Sequence, residues 1–119
     1  MNRNQNDYLI PLSLAEGRLP LGKLLYHAAD EIPSGGMWSR TSLDDLAELE
    51  EQGLIRIASR HNSRHRRVEK TVILLPDGYD ACEKVLDSDD YMRFAEKEAE
   101  METIAGTFEE GMEVNCEWT

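Results

Sequence analysis

Six of the eight residues from Arg60 to Arg67 are arginine or histidine. Across Arg56 to Lys70, six Lys and Arg stand against Glu69 alone, a local balance of +5. Guanidinium groups offer planar, permanently charged donor forks that suit phosphate oxygens. Arg60, Arg64, Arg66, Arg67 and Lys70 are therefore candidates for neutralising several phosphates, or for placing one arginine in a minor groove. The plainer reading is a charged hairpin balanced by acidic residues of the same chain. His61 and His65, four apart, have the spacing that shares a helix face. They sit among arginines with no acid or cysteine close in sequence, where cations oppose a metal ion. Their expected contribution is extra positive charge below neutral pH.

The other reactive side chains do not assemble a catalytic set. Cys82 falls on an apolar helix face, where cysteine usually serves as a small core residue. His27 reads as a half-buried or surface helix histidine. Ser34-Gly35-Gly36 lacks the lysine and the spacing of a phosphate loop. Carboxylates are abundant, but crowding on an exposed helix is normally a solvated face. No nucleophile, base and orienting group come together. The sequence predicts a binding protein with no enzyme activity, no cofactor and no metal.

Charge is unevenly distributed. The chain of 119 residues carries a net charge of −11. Met1 to Leu75 holds 10 Lys and Arg against 10 Asp and Glu; Pro76 to Thr119 holds 3 against 14. The excess negative charge thus lies entirely behind the basic stretch. The basic stretch can meet phosphate while the chain as a whole repels it. A chain of this length supports one modest core. No apolar run approaches the ~20 residues of a membrane span, and the polar start predicts no secretory signal. Cys82 and Cys116 are too few for a disulfide framework. A cytoplasmic location and no membrane partner are expected.

The elements that must position the arginines can be read on either side of them. Thr41 or Ser42 is a candidate N-cap; with Ser42 as cap, Asp45 completes a short-armed capping box. Leu43, Leu46, Ala47 and Leu49 recur near helical spacing, with Asp44, Asp45, Glu48 and Glu51 on the outer face. Gly53 supplies a left-handed stop. Leu54 to Ala58 is a short strand, Ser59 to Arg67 a loop or hairpin tip, and Val68 to Leu75 the return strand. Pro76-Asp77-Gly78 breaks that strand and opens a second helix. Its apolar side carries Tyr79, Cys82, Val85 and Leu86.

This stretch resembles the winged helix-turn-helix of MarR- and PadR-type transcriptional regulators. Leu49, Glu50, Gly53, Leu54 and Ile55 match the end of their recognition helix. Arg66 and Arg67 match the wing, and Leu74 and Gly78 match the start of the helix after it. The resemblance covers about 50 residues. It implies a mostly helical α+β fold: a winged helix-turn-helix with a two-stranded wing over residues 1–86, and an extra acidic helical extension over 87–119. It also implies a cytoplasmic, dimeric transcriptional regulator that binds double-stranded DNA, with Arg40, Thr41 and Ser42 at the start of the reading helix. Two departures stand out. Leu75 replaces the threonine that caps the helix after the wing. Pro33 to Arg40 makes a turn where the preceding helix needs room.

The remainder frames this unit. Residues 1–7 are polar. Tyr8-Leu9-Ile10-Pro11-Leu12 reads as an edge strand or packing arm, and Ser13 to Arg18 as one helical turn ending at Gly17. Leu21 to Glu31 is a helix with Leu21, Leu24, Leu25 and Ala28 inward. Met37 and Trp38 offer a hydrophobic plug. After the cap-rich Asp87 to Asp90, a helix runs to about Ala105. Tyr91, Phe94, Met101 and Phe108 form a heptad-like seam on it, interrupted by Glu98. That seam can pack on the chain's own core, join a homodimer, or border a free acidic tail. Two functions follow. One is a DNA-binding regulator. The other is a phage-type inhibitor, DNA-mimicking or anti-CRISPR-like, whose partner is a basic nucleic-acid-binding protein. Its surface would centre on Asp44, Asp45, Glu48 and Glu51, or on the carboxylates of Glu96 to Glu110. Those acids disfavour a simple duplex-reading helix, because a carboxylate near phosphate is repelled.

Overall fold

A computed structural model of the chain describes residues 5–30, 39–62 and 67–103. Within them the fold is α+β and mostly helical. The order is α1 (Asn6–Leu14), β1 (Arg18–Pro20), α2 (Leu21–Ala29), α3 (Arg40–Glu51), β2 (Ile55–Asn62), β3 (Arg67–Leu74), α4 (Pro76–Glu83) and α5 (Ser88–Thr103). The strands form an antiparallel sheet in the order β1-β3-β2.

The N-terminal segment differs from its expected form. Tyr8 to Leu12 lies in helix α1, not in a strand or arm. Tyr8, Leu9 and Leu12 are fully buried. Burying such side chains is worth about 1.5–3 kcal/mol each, enough to offset the ~3 kcal/mol that Pro11 costs inside a helix. The helix ends in a Schellman-type closure, with the Gly17 N–H donating to Leu12 O at 2.7 Å. Gly17 has φ +90°, and a Cβ there would lie 2.3 Å from the Tyr79 hydroxyl. This turn delivers β1, a third strand that the sequence reading missed. Arg18, Leu19 and Pro20 sit opposite Ile73, Val72 and Thr71. Pro20 is tolerated because β1 is an edge strand.

Helix α3 is rotated from its expected setting. Its N-cap is Ser39, whose Oγ accepts from the Ser42 N–H at 3.2 Å. The cap is therefore neither Thr41 nor Ser42, and the Ser42–Asp45 capping box does not form. The buried face is Ser42, Asp45, Leu46 and Leu49. Leu43 is 38 % exposed and Ala47 is also exposed. Asp45 turns inward because the Tyr8 hydroxyl donates to its carboxylate at 2.9 Å. Gly53, with φ +77°, closes the helix as expected: the Leu54 N–H donates to Leu49 O at 3.1 Å.

Leu19, Ile55, Val72 and Leu74 point from the sheet into a core shared with Leu24, Leu25, Leu46, Leu49 and Cys82. Pro76 opens α4, and Leu75 caps it without a side-chain hydrogen bond. On α4, Cys82 is buried, but Val85 is 48 % exposed and lies past the helix end. Asp87 and Asp90 cap α5 reciprocally. Each backbone N–H donates to the other's carboxylate at 3.0 Å.

Helix α5 docks on α2 through polar groups. The Tyr26 hydroxyl donates to Glu100 at 2.6 Å, and Lys97 pairs with Asp30. His27 lies 3.3 Å from a Glu98 oxygen and stacks on Phe94 at 4.6 Å between ring centroids. The expected seam therefore divides. Phe94 and Met101 face inward, Met101 being 4 % exposed, whereas Tyr91 is 57 % exposed. Phe94 and Met101 thus pack within the chain. Phe108, Cys116, Met37 and Trp38 lie outside the described residues. Among the described residues, no helix is long and apolar enough to cross a membrane.

Candidate nucleic-acid interface

The basic stretch is a β-hairpin. Strands β2 and β3 pair from Ile55↔Leu74 at the base to Asn62↔Arg67 toward the tip. The hairpin changes character along its length. At the base, Ile55 is 1 % exposed, Val72 is fully buried and Leu74 is 5 % exposed. Farther out, Ser59, Arg60, His61 and Lys70 are all exposed. The outer half thus stands clear of the core, held by backbone pairing to a buried base.

Alternation sets which side chains share a side. Val72, Leu74, Ile55 and Leu19 face the core. Arg56, Ala58 and Arg60 on β2, Glu69, Thr71 and Ile73 on β3, and Arg18 on β1 take the opposite, open face, with Glu69 opposite Arg60. Arg18 and Arg56 flank Ile73 from either side. Both are exposed. Among the described side chains, no carboxylate lies within ion-pair distance of Arg18, Arg56, Arg60 or Lys70; Glu69 holds the register position opposite Arg60. Glu50 accepts from the Ile57 N–H at 2.8 Å, satisfying a donor on the free edge of β2.

The candidate residues separate. Arg60 and Lys70 are both on the projecting hairpin but on its opposite faces, Arg60 with Arg56 and Lys70 with Val72. Arg67 is in β3, and Arg64 and Arg66 lie outside the described residues. Arg40 and Thr41 are exposed on the first turn of α3. Ser42 is fully buried and its hydroxyl accepts from Ser39 Oγ at 2.9 Å. It is withdrawn as a nucleic-acid contact, because a buried, cap-bound hydroxyl cannot reach a duplex. Asp45, 2 % exposed, is likewise withdrawn from the acidic surface, which keeps Asp44, Glu48 and Glu51.

Sequence reasoning missed Arg18 and Arg56. Arg56 was recoverable from alternation in Leu54 to Ala58. Arg18 was hidden because a three-residue strand ending in proline leaves almost no periodic signal.

The remaining titratable groups serve packing. Burial lowers the His27 pKa; Glu98 opposes that shift, and Lys97 and Lys23 add to it. The hydrogen bond to Glu100 raises the Tyr26 pKa. Burial raises that of Cys82, whose thiol donates weakly to Leu9 O at 3.8 Å. Comparison with protein-family models, curated protein sequences and solved structures finds no match for this chain.

Proposed function

We propose that this chain is a small winged-helix protein that binds double-stranded DNA and acts in transcriptional regulation. One observation carries the reading: the outer hairpin projects from the core with Arg60 and Lys70 exposed on its two faces, and neither forms an ion pair with a described side chain. Side chains that make no internal pair are available to phosphate. The order of elements supports the reading too. Along the chain, helices α2 and α3 come in the order of the two helices of a helix-turn-helix, and β2–β3 follows them as a wing does. Residues 30–39 separate the helices, more than the 3–4-residue turn of the simple motif.

In this reading the wing leads. Arg40 and Thr41 supply donors at the start of α3, while Asp44 and Glu51 along its exposed side repel phosphate. Binding is therefore dominated by backbone contacts and weakly dependent on base sequence. The test is fluorescence anisotropy with a random-sequence duplex across a salt series. Affinity should fall with a log–log slope of about −0.9 per phosphate contacted. Arg66→Ala and Arg67→Ala should flatten that slope. Tight binding indifferent to salt and to both substitutions would overturn the reading.

The exposed acids of α3 favour a second reading, an acidic inhibitor that occupies the cationic channel of a nucleic-acid-binding protein. It would use Asp44, Glu48 and Glu51. It predicts no duplex binding even at low salt.

A further inference from the structure

The cationic surface is wider than the wing. Arg18, Arg56 and Arg60 occupy the open face of one sheet, contributed by two strands that flank β3. Neighbouring strands are about 4.8 Å apart, so the Arg18 and Arg56 backbones stand about 10 Å from each other. Arg60 is four residues along β2, about 13 Å from Arg56. All three are exposed; Glu69 stands opposite Arg60, whereas Arg18 and Arg56 both flank Ile73. This spacing is too wide for one phosphate or carboxylate to bridge. It suits an extended polyanion with closely repeating charge, and duplex DNA carries one charge per about 1.7 Å of axis.

The residues between the arginines narrow the choice. Ala58, Thr71 and Ile73 are half-buried, and none has an aromatic ring on which an unpaired base could stack. Single-strand binding surfaces depend on such rings. The face offers charge without base readout or stacking, which is the chemistry of duplex backbone contact.

We infer that Arg18 and Arg56 extend the DNA contact from the wing onto the open face of the sheet, where they bind duplex phosphates without reading sequence. This rests on the duplex-binding reading above. It assigns the role to β1 as well as to the hairpin, so the contact surface turns around the wing to the side away from the helical core.

The experiment compares wild type, Arg60→Gln and the double variant Arg18→Gln/Arg56→Gln in the same salt series with a random-sequence duplex. Thermal melting of each protein checks folding. The double variant should melt as wild type does and lower the magnitude of the log–log slope by about 1.8, against about 0.9 for Arg60→Gln. If Arg60→Gln lowers the slope but the double variant leaves it unchanged, this inference is wrong and the wing reading stands. If wild type fails to bind duplex at low salt, both are wrong.

Discussion

The α2–α5 contact and the open face of the sheet are both rich in charge, and they use it in opposite ways. At the contact, Tyr26, His27, Asp30, Lys97, Glu98 and Glu100 bond to one another. Lys97 also lies 5.0 Å from the centre of the Tyr26 ring, a cation–π distance. These groups hold a helix in place. On the sheet, Arg18, Arg56 and Arg60 have no described carboxylate within reach. A protein of net charge −11 has ample acid to pair with them, yet no described side chain forms an ion pair with any of the three. Charge engaged internally marks structure; charge left outward on a rigid strand marks a surface for a partner.

That contrast can be broken by substitution. The largest stability effect should come from an inward pair. Tyr8→Phe removes the donor to buried Asp45, costing about 1.5–3 kcal/mol, the range for a hydrogen bond to a charged group. Denaturant unfolding checks this, and the salt dependence of DNA binding should not change. A loss confined to binding would reverse the assignment of Asp45.

His27 gives the next effect, seen as pH dependence. Its folded pKa is lowered, chiefly by burial, so below the ordinary value near 6.5 the unfolded chain binds the proton more readily. Stability is fully present above that value. It falls as pH drops from about 6.5 toward the folded pKa. His27→Gln should remove this component from a melting-temperature profile between pH 7 and 5. An unchanged profile would mean that the α2–α5 contact does not titrate through His27.

Smaller still is Glu50→Ala, which leaves the Ile57 N–H to water at an exposed edge. About 1 kcal/mol is expected, read by urea unfolding. Smallest is Arg56→Gln, which should alter stability by less than about 0.5 kcal/mol because an exposed arginine without an internal pair supports little. A larger loss would mean that Arg56 helps hold the fold together, as the groups at the α2–α5 contact do.

How far these regions could be read in advance follows from their physics. Gly53 and Pro76 announced element ends through backbone constraints that act locally, and both fall where expected. The hairpin was legible because branched residues bracket a polar tip; its strands simply extend farther, to Asn62 and from Arg67. Helix α1 was not legible, because Pro11 argues against a helix and only tertiary burial of Tyr8, Leu9 and Leu12 reverses that argument. The rotation of α3 was hidden for a related reason. A buried aspartate is improbable until its partner, Tyr8, 37 residues away, is known. The inward turn of Phe94 likewise depends on α2, where His27 stacks on its ring. The open sheet face needed β1, so one of its three arginines, Arg18, appears only with the strand order.

The central claim is that the projecting hairpin meets DNA phosphate. Its most direct measurement is the salt dependence of wild-type binding to a random duplex beside the Arg66→Ala/Arg67→Ala variant. The account predicts steeply salt-dependent wild-type binding and a slope smaller by about 1.8 in the variant. Equal slopes, or no wild-type binding at low salt, would contradict it.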